Sequence, residues 1–321
     1  MDTTRQTKRS LPSFVYKLML LAATVIWGFA FVVMKDAVDV LPPAQLIGAR
    51  FLLTGLLMAA VFHRHLRGSL NAGFLGAGLV LGAVTFLAFW VQTVGLAETT
   101  PGKNAFLTAT YCVIVPFMLW GLTRKRPTMA NVGAAVLCVA GIGLVSMTAG
   151  SFTIGFGDLM TLLCAVFFAA QIIAIARFSR RFDVLGLTTY QFLFGGAMGL
   201  VLGAAIEPVP AWEAVADLDF LLNLAYLVVF ASGICYVLQN VGLAHVPEAQ
   251  GSLILSLESV FGVVASVLIC GELVTGRMML GFALIFAAIL ISELAPARKT
   301  SEQKGCAQAE RAADDEDYAV A

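Results

Sequence analysis

The chain has 321 residues, 60% hydrophobic and only 12% charged, with a formal net charge of zero and a mean hydropathy of +0.90. That composition lies far outside the soluble-globular range and marks a polytopic membrane protein with one membrane domain. With no basic block, nucleic acid has no electrostatic footprint to bind. The six cysteines, mostly inside apolar runs, show neither metal-ligand spacing nor a disulfide framework.

In chain order, residues 1–14 form a short cytoplasmic segment carrying Arg5, Lys8 and Arg9. The apolar stretch that follows resembles a leader, but so many spans come after it that it is read as a first helix. A hydrocarbon core of ~30 Å takes about 20 helical residues. Five segments qualify in the first half, at 15–36, 44–62, 73–97, 103–122 and 128–148. A polar stretch at 149–156 is read as a linker. Five more follow at 157–177, 184–206, 219–244, 248–270 and 276–294. Short alternating segments of the barrel type are missing. Residues 295–321 are polar and finally acidic, and are expected to be a disordered cytoplasmic tail.

The halves repeat. VQTVGLAETTPGKNAFL at 91–107 returns as VLQNVGLAHVPEAQGSL at 237–253, pairing Gln92 with Gln239 at a constant spacing of 147 residues. A weaker match, spaced by 141, aligns Trp27–Gly28 with Phe168–Ala169 and Arg50–Phe51 with Gln191–Phe192. Lys and Arg give the orientation, because they collect on cytoplasmic loops. With both termini inside, 16 of the 20 cationic side chains fall on one face. Segment 73–97 then runs outward and its mate 219–244 inward. The fold expected is therefore all-α and integral to the membrane: ten transmembrane helices as two inverted five-helix repeats, 15–148 and 157–294.

These residues resemble the EamA family of the drug/metabolite transporter superfamily over essentially 15–295. The resemblance rests on Trp27–Gly28, Pro42–Pro43, Arg50–Phe51 and the run from Lys103 to Phe117 in the first copy. In the second it rests on Gly157–Asp158, GSLILSLESVFG at 251–262 and Gly271–Glu272. It implies a ten-helix inner-membrane carrier with a central cavity between the repeats, exporting or importing small metabolites, often amino acids. Two departures stand out. The fourth helix ends in LTRKRP where many relatives carry Gly–Glu, and Ser259 follows Glu258 where relatives often have proline. The second departure removes the residue that would kink that helix.

Polar groups inside apolar spans are costly, about 2.5–3.5 kcal/mol for a charge at the helix centre, so each is a candidate for function. Glu258 lies mid-span and is read as a coupling or substrate-amine site, or as a carboxyl hydrogen-bonded to a neighbouring helix. The register sets Tyr111 against it, where a phenol can bond a substrate or the carboxyl itself. Gln92, Gln239, Gln171 and Asn240 call for interhelical partners, with gating as the alternative. Arg50, two turns into its helix, either snorkels outward, pairs with a carboxylate or receives an anionic group. Trp27, Trp90 and Tyr236, with Phe31 and Tyr190, are candidate cavity walls, Trp27 foremost. Lys35 and Asp36 read as interfacial, and Glu272 as helix-terminus or interfacial structure.

His63, His65 and His245 sit at loop edges without metal-ligand spacing, so no enzyme centre and no cofactor is expected. No channel filter is visible. A secondary carrier working by alternating access explains the inversion and the polar mid-span residues together. Its expected partners are a small neutral or zwitterionic solute and the lipid bilayer; a homodimer is left open. A drug-efflux carrier, or a channel or facilitator without coupling, are the alternatives.

Overall fold

Apolar segments of this length can satisfy their backbone polar groups in a bilayer only as helices or closed barrels. The computed structural model describes residues 12–66, 71–124, 126–146, 154–243, 245–246 and 254–294, and they contain no strand. The expected tail, most of the linker and nearly all of the first segment lie outside the described residues.

The helices are α1 (Ser13–Val40), α2 (Pro43–Val61), α3 (Ala72–Ala97), α4 (Pro101–Ala109), α5 (Tyr111–Thr123), α6 (Met129–Ser146), α7 (Phe156–Phe178), α8 (Val184–Ile206), α9 (Leu218–Tyr226), α10 (Cys235–Leu243), α11 (Glu258–Cys270) and α12 (Gly276–Leu294). A π-helical stretch, Leu227–Ile234, joins α9 to α10, and one-turn helices stand at His63–Leu66 and Trp212–Val215. Among the described residues, eight spans, counting α4–α5 and α9–α10 as one each, are long and apolar enough to cross a membrane. α11 and the apolar part of α12, Gly276–Ser292, are shorter.

The sequence marks most starts. Pro43 and Pro101 occupy first-turn positions that need no N–H. Asn71, Thr100, Asp183 and Asp217 accept from backbone N–H groups at the heads of α3, α4, α8 and α9. Two ends are left-handed: Arg124 closes α5 at φ 57° and Gly271 closes α11 at φ 64°.

α2 packs along α8, α3 against both α7 and α8, α6 along α12, and α11 against α1 and α4. Small residues permit the closest of these approaches. A Cβ built on Gly196 would lie 2.3 Å from the Leu52 nitrogen, and one on Gly48 2.5 Å from the Leu200 nitrogen. One apolar core joins α1, α2, α3, α8 and the π stretch. A second joins α4, α5, α6 and α12.

Candidate functional site

Two spans are broken, and the breaks aim the most unusual side chains. At Thr110 the chain tightens, its N–H and hydroxyl both donating to the Leu107 carbonyl at 3.3 and 2.6 Å. At residues 256–257 it tightens again, with Leu257 N to Ile254 O at 3.1 Å and Ser259 Oγ to Ser256 O at 2.8 Å. The missing proline puts a kink here in doubt; the winding nonetheless breaks at 256–257, where i→i−3 bonds and the Ser259 hydroxyl take up backbone carbonyls. Each turn hands over to a new helix whose first residue is Tyr111 or Glu258. Glu258 is 9% exposed and Tyr111 is half-buried.

Both residues face a cavity of about 1310 Å³. Trp27, Arg50, Gln92, Tyr111, Gln171, Tyr236, Gln239 and Glu258 line it, as does Phe31. Trp90 and Tyr190 do not. Trp90 stacks on Phe86 at 6.0 Å, and Tyr190 packs against Phe74 and Phe194. The Asn240 side chain lies outside the described residues. Phe89, Phe168, Thr93 and Thr108 also line it; of these only Phe168 figured in the sequence, as the repeat mate of Trp27. Phe89 and Phe168 meet edge to face at 5.0 Å, and only three-dimensional contact distinguishes them from lipid-facing aromatics.

Arg50 does not snorkel. It is 2% exposed, and its Nε donates to Ser232 Oγ at 2.8 Å. The guanidinium stands over Phe89 and Phe51 at 5.1 and 5.9 Å from the ring centres. No carboxylate of the described residues pairs with it. Between α8 and α3, Gln191 donates to Thr85 Oγ1 at 2.8 Å. The π stretch frees carbonyls for other side chains: Trp27 Nε1 donates to Ala231 O at 2.7 Å and Thr54 Oγ1 to Val228 O at 3.2 Å. Trp27 is thereby fixed edge-on to Tyr236, 5.7 Å away. Gln92 donates to Thr108 at 3.0 Å.

The two ends of the cavity differ. At one end its lining is exposed, including Leu122, Arg177, Arg180 and Arg181. At the other, Met34 and Leu96 are 6% and 2% exposed, and polar ties lie beyond them. Lys35 Nζ, at the end of α1, donates to the Leu96 and Ala97 carbonyls of α3 at 2.9 and 2.7 Å. The Glu272 carboxylate accepts from Thr100 Oγ1, from Gly102 N at 3.1 Å and from Ser266 Oγ, seating it on the head of α4. Lys103 and Asp158 form an ion pair at 2.8 Å between α4 and α7. Lys35, read from sequence as interfacial, and Glu272, read as helix-terminus or interfacial structure, thus tie neighbouring helices together beyond Met34 and Leu96.

A fold of this kind has known counterparts. The EamA-like transporter family model matches residues 15–147 and again 155–294. An uncharacterized transporter of Archaeoglobus fulgidus is 29% identical over 86% of this chain and 85% of its own length. A probable amino-acid metabolite efflux pump of Salmonella typhimurium is 25% identical over 85% of this chain and 93% of its own. One crystal structure superposes with a TM-score of 0.64 at 19% identity, covering 87% of this chain and 96% of the other; it shows likeness of fold.

Proposed function

The chain belongs to the EamA-like transporter family, and from that membership we propose that it is a secondary carrier. It moves an amino acid or a similar neutral or zwitterionic metabolite out across the inner membrane by alternating access. The observation that carries this reading is the cavity itself, in which a buried arginine without a carboxylate partner among the described residues faces the same space as Glu258 and Tyr111. Arg50 receives the anionic end of the solute through its free fork. Glu258, steadied by Tyr111, takes the ammonium end. Trp27, Tyr236, Phe89 and Phe168 bound the apolar part, with Gln92, Gln171 and Gln239 as adaptable polar wall. Trp90 supports that wall from behind.

The ten-helix, two-repeat architecture, with units 15–148 and 157–294, is part of the same proposal and draws on four pairs of features. The two family matches fall one on each half. The left-handed ends Arg124 and Gly271 are 147 residues apart, as are the helix breaks at Thr110 and Leu257. Arg50 with Ser232 mirrors Gln191 with Thr85 under the two sequence spacings. Broken helices meeting at a repeat interface are where carriers of this kind build their sites. The excess of Lys and Arg on one set of loops supports an orientation with both termini in the cytoplasm, in which the mouth beside Arg177, Arg180 and Arg181 opens inward.

The volume of about 1310 Å³ exceeds that of a usual small-ligand pocket, about 300–1,000 Å³. This favours a second reading, a carrier of bulkier amphipathic compounds, within the same mechanism. A thermal-shift screen of the purified protein over amino acids, nucleobases, polyamines and drugs tests the solute class. Stabilisation by zwitterionic amino acids is expected, and tight binding of a polyanion would overturn it.

A further inference from the structure

The closed end of the cavity is held by charges placed on helix ends. The Glu272 carboxylate sits on the N-terminus of α4, accepting from Thr100 and Gly102. The Lys35 ammonium sits on the C-terminus of α3, donating to Leu96 and Ala97. An anion at a helix head and a cation at a helix tail are the two arrangements that the macrodipole favours. Both ties cross between the α1–α11 pair and the α3–α4 pair. Those are the elements that must part for the cavity to open at this end.

An inverted repeat offers the same device at the other end, since each position there has a mate. The mate of Glu272, 147 residues earlier, is Lys125, which carries the opposite charge. The left-handed ends Gly271 and Arg124 lie immediately before these two positions, which fixes the register locally. The mate of Lys35, at the spacing of 141 that holds for the first helix of each copy, is Ala176. The mates of Lys103 and Asp158 are Gln250 and Lys17, which cannot form an ion pair. Every tie that closes one end is cancelled or reversed in sequence at the other.

We infer that Glu272 and Lys35 are a one-sided latch that makes the state open beside Arg177 and closed beside Lys103 the resting state of the carrier. The inference rests on the alternating-access reading above. The structure, closed at the latched end and open at the unlatched one, is that state. Solute binding must supply the free energy that releases the latch, because a conformational equilibrium shifts only by a ligand's differential affinity for its two states. The return of the empty carrier needs no ligand.

Spin-label distances in nanodiscs test this on the full chain with its six native cysteines replaced. One reporter pair, Glu98→Cys with Leu273→Cys, spans the latched end. The other, His245→Cys with Arg126→Cys, stands at the register-equivalent positions of the unlatched end. The unaltered latch is expected to give one short distribution across the first pair and a long one across the second. Glu272→Gln shifts both, raising the ratio of the opposite state about tenfold or more. Lys125→Glu, which supplies the missing anion at the other end without touching the latch, shifts them in the same direction. Unchanged distributions in both variants, in protein that still unfolds cooperatively on heating, would overturn the latch. Absence of trans-stimulated flux in the wild type would instead refute the carrier reading, while the distances still judge the latch.

Discussion

Arg50→Lys isolates what the buried guanidinium does. The substitution keeps the charge but removes the planar fork and the Nε–H that Ser232 Oγ holds at 2.8 Å. The attraction to Phe89 and Phe51, at 5.1 and 5.9 Å, partly survives in a lysine, so the side chain stays near the cavity. What is lost is the second hydrogen bond to a solute carboxylate and the fixed aim of the first. A charge-assisted hydrogen bond contributes about 1.5–3 kcal/mol, which corresponds to about 10- to 150-fold in affinity. Ser232→Ala leaves the fork able to meet the solute and removes only its anchor, and is expected to cost less affinity than Arg50→Lys. Thr85→Ala, which removes the mirror partner of Gln191, should leave affinity unchanged. The assay is competition by unlabelled amino acid against labelled uptake into proteoliposomes, with the amount of folded carrier matched. Wild-type affinity for a carboxylate-bearing solute in Arg50→Lys would refute the reasoning.

Glu258→Gln should erase the preference for a free amine: the wild type takes an amino acid over its N-acetyl derivative by tenfold or more, the variant takes both alike, and a retained preference contradicts the assignment. Gly196→Leu forces a side chain against the Leu52 backbone, 2.3 Å from the Cβ position. It should cost about 1–3 kcal/mol, seen as earlier unfolding in a fluorescence-monitored melt; an unshifted melt argues against tight α2–α8 contact. Arg124→Gly relieves a left-handed residue at φ 57° and should gain about 1 kcal/mol, moving the same melt later rather than earlier.

Much of this could be read from the chain alone. Hydropathy gave the apolar spans, since length and composition are all that a bilayer demands of a helix. The repeat spacing of 147 residues pairs Tyr111 with Glu258 in the sequence, and both side chains line the cavity. The remainder depends on pairings that local pattern does not encode. Ser232 is 182 residues from Arg50, and nothing in either neighbourhood announces the bond. The π winding of Leu227–Ile234 has no composition signal, because its residues are as apolar as any other span. Trp90 and Phe89 are adjacent in sequence and alike in chemistry, yet only Phe89 faces the cavity, because in a membrane both faces of a helix are apolar. The break before Glu258 came from serine hydroxyls rather than the proline that usually signals one. Lys35 and Glu272 carry no sign of their partners in sequence, because Lys35 bonds two carbonyls of another helix and Glu272 gathers the Gly102 N–H and the Thr100 and Ser266 hydroxyls.

In alternating access one solute at a time binds in the cavity and is carried across. Counterflow measures this directly: proteoliposomes loaded with unlabelled amino acid take up labelled amino acid from outside. A carrier predicts saturable uptake that the internal amino acid accelerates, with Arg50→Lys reducing it at low external concentration. Uptake that rises linearly with concentration and ignores the internal pool would contradict the account.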